Sequence, residues 1–288
     1  MHKIFNAVFL LFLWSYSFGQ QATSSLLWKI ENPINKNVSY LFGTMHLMGE
    51  ENFYLPKEVK KKLIESKELY LEITEESAKN LNPKLLQNEE VNFIVSLDGA
   101  QKSALFQWAK EDLMMDENQF EQNFKNAKPF LIYQFILQTS LPENLRSQEK
   151  ELESWAKKDG GISILGLETV EEQLSFFDSI GWENQIDLIM NTLKNKKNAK
   201  EDFLKLQALY LSQNLEKINE EVLKDEADIA NFNAVFIEQR NKNWALKLNN
   251  KLNSEALFIA VGAAHLGGKD GLIQLLIEAG FQLSSIAL

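Results

Sequence analysis

Tyr40-Leu41-Phe42-Gly43-Thr44-Met45-His46 is an apolar β-type run, then a glycine, two further residues and a histidine. The same order returns near the other end of the chain as Phe258-Ile259-Ala260-Val261-Gly262-Ala263-Ala264-His265. Only three histidines occur, and the third, His2, lies in the N-terminal segment. A strand that ends in glycine is expected to turn tightly, because glycine tolerates positive φ. The residues after it then project from the carboxyl edge of a sheet, the edge where open α/β sheets bind ligands. A neutral imidazole there is a good ligand for Zn, Mn, Co or Fe.

Working outward, residues 25–30 and 39–42 read as two β-runs joined by a turn-rich segment, 32–37. A helix is expected over 57–66, after Pro56. Residues 68–73 read as a buried strand containing Glu72, and 162–167 as a strand delivering Glu168. Residues 256–261 are the last strongly apolar strand. A helix over 271–279 follows, capped by Gly280, and 281–288 closes as an edge strand. From about 75 to 155, and again from 169 to 250, apolar spacing is helical. Strands separated by helices predict an α/β fold with a central mixed sheet flanked by helices. A large helical insertion or lid is expected over about 75–160, between the early and late strands. No Gly/Ser- or Pro-rich linker divides the chain, so residues 20–288 are expected to form a single domain.

The 288 residues, 45% of them apolar, are enough to bury a sizeable core. A net charge of −10 repels nucleic-acid phosphates and anionic lipid, so no nucleic-acid partner is expected. With no cysteine, disulfides, thiol nucleophiles, zinc fingers and iron–sulfur clusters are excluded. Residues 1–19 follow the order of an export signal: Lys3, an apolar stretch from Ala7 to Trp14, then Ser15, Ser17 and Gly19 ahead of Gln20. That apolar stretch is too short to span a bilayer, and no later one reaches the roughly 20 residues required. The expectation is a mature protein that begins near Gln20, periplasmic or secreted, with no stable membrane insertion after signal removal. Nothing in the sequence sets an oligomeric state.

Glu72 and Glu168 directly follow buried strands, where a charge rarely stands without a partner. Two histidines and two glutamates on four strand ends can enclose one divalent cation or a close pair, and leave positions open for water. Taken singly, each has a plainer reading: a hydrogen-bonded structural histidine, a salt-bridged or helix-capping glutamate. The duplicated Gly-x-x-His context favours a shared site. Thr44 reads either as a hydrogen bonder behind that site or as a β-former. Arg240-Asn241, with Trp244, falls on a helix. Arg240 can clamp a carboxylate or steady an oxyanion and Asn241 can donate a hydrogen bond; otherwise the group is a solvated helix face. Gly267-Gly268 either presents backbone N–H groups to a ligand or forms a simple loop. The sequence has no Gly-x-Ser-x-Gly elbow, phosphate-cradling loop or His-Glu-x-x-His. A Ser-His-Asp triad would use only one of the two histidines.

Several segments occur in a specific order over roughly residues 25–288: Leu27-Trp28-Lys29-Ile30, the His46 segment, Leu71-Glu72-Ile73, Gly166-Leu167-Glu168-Thr169, Arg240-Asn241-Lys242-Asn243-Trp244-Ala245 and Val261-Gly262-Ala263-Ala264-His265. Together they resemble the TraB/GumN family, which includes the Tiki-type proteases. The resemblance implies a fold related to the erythromycin-esterase and ChaN-like group. It also implies an active site built from the paired Gly-x-x-His motifs and glutamates. His46, Glu72, Glu168, His265 and Arg240 match the family pattern, and Glu149 falls where relatives carry an acidic residue. From the Tiki-type members it implies metal-dependent proteolysis favouring Mn or Co over Zn. The expected function is an exported, divalent-metal-dependent hydrolase, a peptidase acting on a peptide or small-molecule substrate. His46 and His265 would bind the metal with help from Glu72, Glu168 or Glu149. A remaining glutamate would act as general base, with Arg240 and Asn241 beside it. The alternative is a non-catalytic peptide-, metal- or haem-binding protein using the same pocket.

Overall fold

The computed structural model describes residues 25–88, 91–225 and 234–288; the expected export signal lies outside them. Among the described residues eight strands are formed: β1 (Leu27–Glu31), β2 (Val38–Thr44), β3 (Met48–Gly49), β4 (Glu68–Leu71), β5 (Leu145–Arg146), β6 (Ser163–Gly166), β7 (Leu257–Gly262) and β8 (Gln282–Ile286). Six of them make one sheet in the order β6-β4-β7-β2-β1-β8. Four neighbours, β6, β4, β7 and β2, run parallel, while β1 is antiparallel to both β2 and β8. The sheet is therefore mixed, as the alternation of strands and helices predicts. The four parallel strands all end at the same edge.

Helices α1 (Lys57–Ile64), α2 (Glu75–Lys79), α3 (Gly99–Asp112), α4 (Glu117–Phe124), α5 (Pro129–Ser140) and α6 (Gln148–Trp155) precede β6. Helices α7 (Val170–Ser179), α8 (Trp182–Asn195), α9 (Ala199–Leu211), α10 (Leu215–Asp225) and α11 (Arg240–Leu252) lie between β6 and β7, and α12 (Leu272–Glu278) follows β7. Among the described residues, no helix is long and apolar enough to cross a membrane.

Every residue of β7 is buried. A strand covered on both faces reads as a continuous apolar run, and this one does. The main core packs Phe42, Leu71, Phe258 and Ile259 of the sheet against Leu63, Leu152, Tyr210, Trp244, Leu248 and Leu276 from the helices. A second core is separate from it. Phe93, Leu105, Trp108, Phe120, Ile132 and Ile136 pack with Ile186 and Ile189 of α8. The helical body expected over about 75–160 thus draws on two stretches of chain, one before β6 and one after it. α6, inside the expected limits, packs instead into the main core through Leu152.

The short ribbon of β3 and β5, pairing Met48 with Arg146 and Gly49 with Leu145, was not predicted. Two residues a side carry no readable alternation. The ribbon matters because β3 begins two residues after His46 and β5 ends three before Glu149.

Candidate active site at the carboxyl edge of the sheet

His46, Glu72, Glu168 and His265 follow the ends of β2, β4, β6 and β7, the four parallel strands. β4 and β6 continue their pairing past the last strand residue: Leu167 N donates to the Leu71 carbonyl at 2.7 Å and Glu168 N to that of Glu72 at 3.0 Å. That register stands the two glutamates side by side. Nε2 of His46 lies 3.7 Å from Glu72 Oε1, and Nε2 of His265 lies 3.9 Å from the same oxygen. The two Gly-x-x-His segments therefore converge on one carboxylate oxygen.

The glycines serve close approach, which corrects the expected positive-φ turn. Gly262 has φ −50°, and neither it nor Gly43 is among the positive-φ residues. A Cβ on Gly43 would lie 3.0–3.1 Å from Leu266 and Ala263, so glycine lets the two segments pack against each other. A Cβ on Gly262 would lie 3.3 Å from both Glu72 Oε1 and His46 Nε2. The backbone N–H of Gly262 donates to Glu72 Oε1 at 2.8 Å.

Each imidazole is held from behind. Nδ1 of His46 is 2.7 Å from Glu149 Oε1, an oxygen that also accepts from the Thr44 hydroxyl at 2.6 Å. Ser147 donates to the other Glu149 oxygen at 3.0 Å. Glu149, at the start of α6, is thus a positioning group behind the ring. Nδ1 of His265 donates to Asn241 Oδ1 at 2.8 Å, and Asn241 Nδ2 donates to the carbonyls of His265 and Asp270. Both arrangements leave Nε2 facing the shared space, because the bond at one ring nitrogen sets the role of the other.

The two rings differ in charge. Burial lowers the His265 pKa to about 3, with Glu72 opposing and Arg240 and His46 reinforcing, so this ring is neutral. For His46 burial also acts downward, but Glu149 and Glu72 outweigh it and raise the value to about 9. Solvent reaches 61% of the His46 side chain and screens part of that pull.

Arg240, Asn241 and Trp244 occupy one face of the first turn of α11 and are buried, which excludes the solvated-face reading. Arg240 Nη2 donates to Glu72 Oε2 and Glu168 Oε1, each at 2.6 Å, and Nε donates to Glu168 at 3.1 and 3.2 Å. Nη1 donates to the Phe236 carbonyl at 3.2 Å and lies 3.3 Å from His265 Nε2. A guanidinium has five N–H donors; the two glutamates and the Phe236 carbonyl engage four of them and the fifth faces His265 Nε2, so Arg240 supplies charge and orientation before it supplies an oxyanion donor. Glu168 also accepts from Trp244 Nε1 at 3.1 Å and Gln173 at 3.2 Å. Burial would push the Glu72 carboxyl up, but Arg240, the two imidazoles and the Gly262 N–H hold it well below the usual carboxylate range. At Glu168 burial prevails over Arg240, and the pKa is raised.

Among the described residues, no group of three or more His, Cys, Asp or Glu is already arranged as an ion cage. The donor chemistry fits a divalent cation all the same. Two ligands each ~2.1 Å from a tetrahedral cation stand ~3.4 Å apart, so donors at 3.7 and 3.9 Å need move in only slightly. Gly262 leaves bare the cradle that a Cβ would fill between them. Glu72, Glu149 and Glu168 against Arg240 and the protonated His46 leave one uncompensated negative charge, and two once a cation displaces the His46 proton. Glu168 stands apart from the trio, its carboxylate taken up by Arg240, Trp244 and Gln173. Gly267 and Gly268 pack on Leu215 and Asn219 of α10.

Three buried side chains without any sequence signal fix the His46 segment. Gln148 Oε1 accepts from Met45 N at 2.7 Å, and its Nε2 donates to the Tyr54 carbonyl at 2.5 Å. Tyr210 donates to the Gly43 carbonyl at 2.8 Å and lies 2.9 Å from Gln148 Oε1. Gln207, one turn earlier on α9, accepts from Gly49 N at 2.9 Å. Lone polar residues on helices have no spacing that marks them, so only the fold reveals this clamp.

No curated protein and no solved structure matches the chain. The sequence profile of the TraB/PrgY/gumN family matches residues 26–285, which takes in both Gly-x-x-His segments, the two strand-end glutamates and the Arg240 helix. The chain belongs to the TraB/PrgY/gumN family.

Proposed function

We propose that this protein is a divalent-metal-dependent hydrolase, a peptidase, in which His46 Nε2, His265 Nε2 and Glu72 Oε1 would hold the cation. The observation that carries the reading is the convergence of both Gly-x-x-His imidazoles on Glu72 Oε1, at 3.7 and 3.9 Å. Two imidazoles and a carboxylate suit Mn, Co, Fe or Zn, and the Tiki-type resemblance favours Mn or Co. Such a cation, when bound, acidifies water and polarises a carbonyl. The chain's own residues prepare the site. Asn241 holds the proton at Nδ1 of His265 and so presents its Nε2 lone pair, while Glu149 holds Nδ1 of His46 and leaves its Nε2 as the position a cation takes on displacing a proton. Arg240 keeps Glu72 ionised and turned towards the rings. The N-terminal export pattern supports a periplasmic or secreted location.

The reading is tested by supplying the purified protein with Mn, Co or Zn separately and mapping cleavage of a diverse peptide mixture by mass spectrometry. Cleavage that needs an added metal and stops with a chelator supports it. Ion capture with no cleavage under any metal replaces it with the binding-protein reading.

Two further results are expected. Gly262→Ala puts a methyl group 3.3 Å from Glu72 Oε1 and His46 Nε2. Metal affinity should fall about tenfold or more while the melting temperature stays within a few degrees of wild type; unchanged affinity by calorimetry counts against the site. His46, raised to about 9, carries a proton at pH 7 that a cation must displace. Calorimetry in buffers of different ionisation heat should report about one proton released at pH 7 and fewer as pH rises through 9. No release even at about pH 5.5, where an ordinary imidazole is also protonated, removes His46 from the ligand set.

A further inference from the structure

Beside the His46 segment lies a cavity of about 800 Å³ that the proposed chemistry does not use. Its wall includes Gly49, the end of β3, and Glu50 and Glu51 after it, with Glu143 from the turn before β5 and Lys200, Phe203 and Gln207 from the α9 side. Glu50, Glu51 and Glu143 carry no ion-pair partner among the described residues, so with Lys200 the cavity keeps two excess negative charges. A second feature points to a ligand. Gln207 is 3% exposed, its Oε1 is taken by Gly49 N, and its Nε2 has no partner among the described residues where the side chain lines the cavity. A buried amide with unused donors has room for an incoming carbonyl.

The cavity is joined to the reacting groups by short lengths of chain. Gly49 is three residues from His46, so their Cα atoms are at most ~11 Å apart. Its ribbon partner Leu145 is four residues from Glu149. An extended peptide covers ~10 Å in three residues.

We propose that this cavity is a subsite for a lysine- or arginine-bearing peptide segment about three residues from the bond cleaved, an assignment that rests on the peptidase reading for its place in the reaction. The segment's carbonyl accepts from Gln207 Nε2, its cationic head meets Glu50, Glu51 and Glu143, and its methylene stem lies over Phe203. Because Gln207 also holds Gly49 N, occupancy bears directly on the segment that carries His46.

The test uses the whole protein and two fluorescein-labelled octapeptide libraries, one with a fixed central lysine and one with glutamate, read by fluorescence anisotropy. The lysine library should bind, and the glutamate library should not. The exposed triple variant Glu50→Gln, Glu51→Gln, Glu143→Gln should weaken lysine binding about tenfold, as should 0.5 M salt. In cleavage assays that variant should raise KM and leave kcat unchanged. Failure of the lysine library to bind, equal binding of both libraries, or unchanged affinity in the variant overturns the subsite. Lysine-selective binding without cleavage under any metal keeps the subsite and overturns the peptidase reading. Metal-dependent cleavage indifferent to lysine and to the glutamate variants does the reverse.

Discussion

Replacing Arg240 with leucine is expected to lower the unfolding free energy by about 3–5 kcal/mol at pH 7. The substitution keeps an aliphatic side chain at a site 5% exposed, and it strands Glu72 and Glu168, 7% and 6% exposed, without their shared cation. Removing one partner of a buried ionic group leaves an uncompensated charge, which costs more than the pair was worth. The pH dependence has a definite sign. In the wild type, Arg240 helps hold the Glu72 pKa below its unfolded value. That contribution is present above the unfolded pKa and is lost as the pH falls through the folded one. In the variant both carboxyls are raised and take up protons readily. The gap between variant and wild type should therefore narrow from pH 7 to pH 5. Denaturant unfolding at the two pH values checks this; a deficit under 1 kcal/mol, or one that widens towards pH 5, contradicts the buried triad.

The His46→Ala and His265→Ala variants are expected to lose metal-dependent cleavage by on the order of 10³-fold each, and the double variant little more, since on the proposed reading each removes a ligand of one shared cation. Their effects on stability should differ. His46 is open to solvent, so its loss should barely move the melting temperature. His265 is 4% exposed, bonded to Asn241 and packed 4.6 Å from the Trp244 ring. Its removal strands the Asn241 acceptor and should cost about 1–3 kcal/mol. Multiplicative losses in the double variant would mean that the two rings act independently.

The strands that carry the candidate site were legible because each is an apolar run ending in a residue that such a run does not normally hold: His46 and His265 after a Gly-x-x spacing, Glu72 and Glu168 directly. The carboxyl-edge rule was enough to bring those four ends to one place. Which partner each residue takes was not legible. Glu168 and Glu72 look alike in sequence, yet one is enclosed by Arg240, Trp244 and Gln173 while the other keeps an oxygen between two imidazoles. That distinction depends on how α11 docks on the sheet edge, a tertiary fact. The role of Gly262 was misread for a similar reason: sequence suggests a glycine is there for its φ, and only packing reveals one that makes room. Gln148, Gln207 and Tyr210 were invisible because a single buried polar side chain on a helix leaves no periodic trace.

On the proposed reading, one cation is shared by His46, His265 and Glu72. Crystals of the protein soaked in Mn and measured at the Mn absorption edge test it most directly. A single anomalous peak is expected ~2–2.5 Å from Nε2 of both histidines and from a Glu72 oxygen. A peak elsewhere, or no peak at saturating Mn with both rings ordered, contradicts it.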